Sequence, residues 1–220
     1  MNNKQYIENL ENIIKQMLKP LRGIPFKLVI KGISGHTITP FNNRDNKDMS
    51  VLKKLIRVAT VSGNNVNKVG IRRTRPNEVG NDIEPFVKKA LNLIGYKAGV
   101  PLTGKGKKKS MGYPDIQFID EYKRLNYLEC KTYNIENVDT TQRSFYLSPS
   151  DEFKITSDAH HFLISFEIYV SGTEGKNNIY KCKSWKILTL DNLQTDVKYE
   201  FNADNSRLYS KELILAEGAL

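Results

Sequence analysis

The chain has 220 residues, of which 39% are apolar, 26% charged and 10% aromatic, a balance that supports a packed core and excludes wholesale disorder. No apolar run approaches the roughly 20 residues that span a bilayer, and the N-terminal segment has no apolar signal core, so the sequence reads as a cytoplasmic, unprocessed protein. Thirty-four Lys and Arg against 24 Asp and Glu give a net charge of +10, with 22 against 7 in residues 1–110 and 12 against 17 in residues 111–220.

In chain order, residues 3–19 place Tyr6, Leu10, Ile13, Ile14, Met17 and Leu18 at helical spacing, predicting a helix with one buried face that ends before Pro20. Residues 26–33 read as a strand and residues 34–47 as a loop. Residues 48–61 are helical again, with Gly63, Asn64 and Asn65 as the stop. From Arg72 the texture changes. Arg72, Arg73 and Arg75 lead into a helical stripe of Ile83, Phe86, Val87, Ala90, Leu91 and Ile94. Pro85 suits only a first turn, which places residues 81–84 at the helix N-terminus, and Gly95 caps the other end. Residues 104–110 form a glycine-loosened loop carrying Lys105, Lys107, Lys108 and Lys109.

Residues 113–119 and 127–133 predict a β-hairpin around a polar turn. Residues 134–158 are polar, with a helical turn starting near Ser148; residues 162–170, 180–190 and 197–201 predict further strands. The order of elements predicts an α/β (α+β) fold with a mixed sheet. Residues 71–220 would supply its core and residues 1–70 an elaboration packed on it, for DNA recognition or dimerisation, in one compact domain. There is no internal repeat, and Cys130 and Cys182 fit neither a disulfide framework nor a metal-binding spacing.

The return strand carries the chemistry. Its period of two sends Leu128, Cys130 and Thr132 to one face and Glu129, Lys131 and Tyr133 to the other. The hairpin brings Asp115, which follows Pro114, opposite. Two carboxylates and a lysine on one sheet face are costly unless a hard cation such as Mg²⁺ sits among them. Acid-x-Lys triplets also start at Asp45, Glu121, Glu152, Glu174 and Asp196, whereas Pro-Asp occurs once. Only Glu129-Cys-Lys131 is embedded in a strand with apolar neighbours.

Gly112-Tyr-Pro-Asp-Ile116 followed by Tyr127-Leu-Glu-Cys-Lys-Thr132 resembles the active site of the PD-(D/E)XK nuclease superfamily. Gly80-Asn-Asp-Ile-Glu84 is similar to the acidic helix that often precedes that hairpin, and the basic approach is similar to the type II restriction endonucleases. The resemblance implies a restriction-endonuclease-like sheet flanked by helices and a site-specific endonuclease leaving 5′-phosphate and 3′-hydroxyl ends. Asp115, Glu129, the Cys130 backbone carbonyl and Glu84 would hold one or two Mg²⁺, with Glu78 the alternative to Glu84. Mn²⁺ would substitute and Ca²⁺ would support binding alone. Lys131 would orient or help deprotonate the attacking water and stabilise negative charge.

The implied partners are double-stranded DNA, a second copy in a homodimer and a cognate DNA methyltransferase, with no membrane. Arg72, Arg73, Arg75 and the four loop lysines would contact DNA. Gln142 to Tyr146 is similar to an exonuclease element too loosely to mark a site, and His160-His161 reads as sheet-edge packing. The alternatives are a structure-selective or repair nuclease of the same superfamily, and a non-catalytic basic DNA-binding protein.

Overall fold

A computed structural model describes residues 3–19, 21–109, 112–134, 145–148, 152–198, 204–208, 210 and 212–214. The elements are α1 (Asn3–Met17), β1 (Leu21–Pro25), α2 (Phe26–Ser34), α3 (Asn46–Val69), β2 (Ile71–Arg73), α4 (Val79–Leu93), β3 (Lys97–Gly99), β4 (Ile116–Ile119), β5 (Leu125–Tyr133), β6 (His160–Glu174), β7 (Asn177–Thr189), β8 (Gln194–Val197) and α5 (Asn205–Leu208). A 3₁₀ turn, Pro76–Glu78, leads into α4. Pro20, Gln142 and the residues after Pro149's predecessor Ser148 up to 151 are sequence expectations that lie outside the described residues. Among those described, no helix is long and apolar enough to cross a membrane.

The contacts divide the chain into two units, Met1–Ile24 with Gln194–Leu220, and Pro25–Leu193. The first holds α1, α5 and the β1–β8 pair. In that pair the Asp196 carboxylate accepts the Gly23 N–H at 2.9 Å and the Thr195 hydroxyl donates to the Ile24 carbonyl at 2.9 Å. The periodicity of α1 predicts its helix correctly but not its burial: Tyr6, Ile7, Leu10, Ile13 and Ile14 are exposed, because amphipathic spacing specifies a helix without supplying a layer to cover it. Of the expected strand at 197–201, Val197 ends β8, and residues 199–201 lie outside the described residues.

The second unit is a mixed six-stranded sheet, ordered β2-β7-β6-β5-β4-β3 and antiparallel except for β5 beside β6. It therefore has the restriction-endonuclease-like α/β architecture that the sequence predicts. One face packs Ile116, Phe118, Leu128, Cys130, Phe162, Ile164 and Phe166 against α3 and α4; the other packs Tyr127 and Leu163 against Phe26 and Ile30 of α2. Residues 25–69, read from sequence with the N-terminal elaboration, belong to the same unit as these strands.

Three local expectations are corrected. Residues 26–33 are helical: Phe26 and Ile30 are buried, with Val29 and Ile33 packed beside them, and that i, i+3, i+4, i+7 stripe outweighs the β-branched content. Helix α3 starts where Asp45 accepts the Lys47 and Asp48 N–H groups, and it runs through Gly63-Asn64-Asn65 to Val69. Gly63 is a packing site, because a Cβ there would meet Cys182 Cβ and the Phe166 ring at 3.7 Å. Asn67 also bonds the Cys182 backbone at both ends of its amide, at 2.7 and 2.8 Å. Helix α4 begins at Val79, so Pro85 lies in its second turn; Pro85 is on the exposed face, where water can take the carbonyl that its missing N–H leaves unpaired.

Candidate active site

The β4–β5 turn is organised by Asp120, whose Oδ1 accepts the N–H groups of Tyr122 and Arg124, both at 2.9 Å. That turn sets the register Ile116↔Leu128, so one step on Asp115 faces Glu129. Leu128 and Cys130 point into the core beneath α3 and α4, and the period of two puts Glu129 and Lys131 on the other face. The ladder stops where the cluster begins. Cys130 would next face Pro114, which has no N–H to give to the Cys130 carbonyl, while the Cys130 N–H donates to Asp115 Oδ2 at 2.9 Å. The N–H and C=O of one strand residue leave by the same edge, so the Cys130 carbonyl also faces the Asp115 side.

Glu129 is 3% exposed, and Lys131 Nζ lies 2.6 Å from its Oε1. Burial first, and then the negative charge of Asp115, push the Glu129 carboxyl up to about 7 despite the lysine. Burial opposes the charge on Lys131, but the attraction and hydrogen bond of Glu129 outweigh it and raise the ammonium's pKa. Glu84, on α4, is raised in turn by burial and then by Asp115, so its carboxyl shares the field of the same site. Glu78 acts on Arg73 instead. The structure thus brings together Asp115, Glu129 and Lys131, with Glu84 in electrostatic range. The Cys130 thiol is buried and pushed well up, chiefly by that burial.

The donor set fits a hard divalent cation. Glu129 Oε2 is buried and has no hydrogen-bond partner, a costly state that a cation would relieve. Its neighbours are carboxylate and main-chain oxygens, the ligands such ions take. Among the described residues, no three Asp, Glu, His or Cys side chains form a ready-made cage, so main-chain oxygen and water would complete the coordination.

The basic residues are placed less uniformly. Arg73 makes a two-pronged bond to Asp82 at 2.7 and 2.8 Å, and Arg72 is paired with Glu174. Arg75 makes no ion pair among the described residues, and is exposed. Lys105 and Lys107 lie 3.6 and 4.0 Å from Glu152, Lys108 is exposed, and the charge of Lys109 reaches the site through its repulsion of Lys154. His161 is buried, held near pKa 3 by that burial, and its Nδ1 lies 2.6 Å from the Tyr113 hydroxyl. His160 pairs with Asp48 and Thr39, so neither histidine joins the carboxylates. Sequence reasoning passed over Lys154, which the fold buries beside Asp115. Its triplet with Glu152 was the available signal, but it sits in a stretch without strand alternation.

Comparison with known proteins identifies the family. The sequence model of the type II restriction enzyme MjaV family matches residues 20–212. The type II restriction enzyme MjaV of Methanocaldococcus jannaschii is 38% identical over 232 residues, covering 99% of this chain and 98% of that protein. No solved structure matches the chain. A nuclease-like carboxylate–lysine hairpin on a mixed sheet, in a chain matched along nearly its whole length, makes this protein a member of the MjaV family of type II restriction enzymes, which are site-specific DNA endonucleases.

Proposed function

We propose that Asp115, Glu129 and Lys131, with Glu84 as third carboxylate, form the hydrolytic centre of this restriction enzyme, and that Mg²⁺ is its cation. The observation that supports this most is the buried Glu129, with one oxygen on Lys131, the other without a partner, and Asp115 beside it. Asp115, Glu129 and the Cys130 carbonyl hold the cation, and Glu84 reaches it directly or through water. When bound, Mg²⁺ supplies a more acidic water and neutralises charge on the scissile phosphate. Glu129 would hold the cation in its ionised form, any proton passing to solvent. Lys131, held on Glu129, orients the attacking water and donates to the developing phosphate charge, and the water's proton leaves to solvent. The products carry 5′-phosphate and 3′-hydroxyl ends.

The enzyme works in the cytoplasm as a homodimer, because cutting both strands of a two-fold site needs two centres related by the same axis. A DNA methyltransferase protects the host. Mn²⁺ substitutes for Mg²⁺, and Ca²⁺ supports binding without cleavage. Arg75 and the lysines at 105, 107, 108 and 109 supply phosphate contacts, with Arg72 and Arg73 joining if DNA displaces their carboxylate partners. The test is digestion of phage DNA by the parent, Asp115→Ala and Lys131→Ala with Mg²⁺ or EDTA. Discrete bands with Mg²⁺ from the parent alone are expected; undiminished cutting by both variants would overturn the assignment.

A further inference from the structure

Lys154 belongs to none of the elements discussed so far. It is 2% exposed and sits in the segment that leads into β6. Its ammonium donates to two main-chain carbonyls, Gly112 O at 2.6 Å and Pro114 O at 3.0 Å. Both carbonyls lie in the few residues that run into Asp115, from which Lys154 is about 40 positions distant in sequence. This is the stretch where the sheet offers least support: β4 begins only at Ile116, and Pro114 can donate nothing to β5.

A buried ammonium is costly unless its donors are used and its charge is balanced. The two carbonyls take two of its three N–H donors. The charge is balanced through space by Asp115, Glu129 and Glu84, all of which favour the ammonium, although burial still lowers its pKa. Among the described residues Lys154 makes no ion pair with any of them. Its hydrogen bonds go to main-chain carbonyls, which separates it from the exposed Lys105, Lys107 and Lys108 of the 104–109 loop.

We propose that Lys154 is a positioning residue of the active site, tying down the main chain ahead of Asp115 so that the Asp115 carboxylate stays on the Cys130 N–H and opposite Glu129. The proposal rests on the hydrolytic centre assigned above. Lys154 touches neither substrate nor cation; it acts through Asp115. Misplacing a catalytic group by about 1 Å costs on the order of a hundredfold in rate, and that is the size of effect expected when the clamp is removed.

The experiment measures kcat and KM with Mg²⁺, and DNA affinity with Ca²⁺, for the full chain as Lys154→Met and Lys154→Gln, beside Asp115→Ala. Met removes both hydrogen bonds, whereas a Gln amide can still donate to carbonyl oxygens. The expected order of kcat is parent, then Gln down about tenfold, then Met down about a hundredfold, with DNA affinity within about threefold throughout. Equal kcat for Met and Gln would overturn the clamp, as would a Met variant that loses less than about tenfold, or a loss of DNA affinity matching the loss of rate. Should the Met variant fail to fold, the Gln variant decides on its own: a loss of about tenfold or more with DNA affinity kept sustains the proposal, and a smaller one overturns it. If Asp115→Ala also keeps full activity, the hydrolytic centre itself is misassigned; if it is dead while both Lys154 variants keep the parent's rate, only the clamp is wrong.

Discussion

Two buried clusters of charge lie in the same unit, one at each end of the β4–β5 hairpin, and they are built on opposite terms. At the turn, Arg124 joins Asp120 at 2.8 Å to Asp48 at 2.7 Å, with His160 3.3 Å from Asp48. Both Asp48 oxygens have partners, since Oδ2 accepts the Asn42 N–H at 2.9 Å; burial raises its pKa, but the hydrogen bonds and charges around it outweigh that and lower it. At the open end, Glu129 has one partner and an orphaned oxygen, and its pKa is raised. In the first cluster both Asp48 oxygens are used and only a donor, Arg124 Nη2, is left over, and the cluster holds α3, the hairpin and β6 together. The second is left short of positive charge, which is what a site awaiting a cation requires. A perturbed carboxylate with an unmet bonding demand is therefore a better guide to function than buried charge alone.

This contrast can be broken most sharply by removing one cation from each cluster. Lys131→Ala is expected to lower cleavage by about a thousandfold or more with DNA affinity in Ca²⁺ retained, as for other groups that act in the transition state. Arg124→Ala should instead cost about 3–5 kcal/mol of stability, because it strands two buried carboxylates, and its folded fraction should still cut DNA. Chemical denaturation beside a cleavage assay separates the two; a stable but inactive Arg124→Ala would erase the distinction.

Glu129→Gln gives a smaller effect of unusual sign. A carboxyl raised in the folded state makes ionisation cost stability. That cost is absent below the ordinary value of 4.5 and fully present above about 7. The Gln variant should therefore be inactive yet more stable than the parent at pH 8, by about 3 kcal/mol, with little difference at pH 4. Equal stability at both pH values would show that Glu129 carries no such load. Divalent cations should offset the same cost, so Ca²⁺ should raise Tm more at pH 8 than at pH 6, where protons compete for Glu129. The smallest effect belongs to the exposed loop: Lys108→Ala should weaken DNA binding at all sequences and reduce the slope of log affinity against log salt by about 1.

The legible parts of this molecule are those governed by neighbours along the chain. The helical stripe of α4 and the polar turn between two strands could be read directly. The failures are equally particular. Phe26 to Ile33 carries residues that suit a strand, and only the layer beneath α2 shows that its i, i+3, i+4 face is the one buried. Gly63 looks like a stop until it is seen buried beside Phe166 and Cys182. Arg72 and Arg73 look free for DNA until Glu174 and Asp82 arrive from elsewhere.

The sequence alone determined that Glu129 and Lys131 share a face from which Cys130 is excluded, because side chains alternate along any strand whatever surrounds it. Only the tertiary structure decided how those groups are charged and held: the burial that raises Glu129, the approach of Glu84 from α4 and the reach of Lys154 to the carbonyls before Asp115. Desolvation and contact between distant segments depend on which layers close over a residue, and no local pattern carries that information.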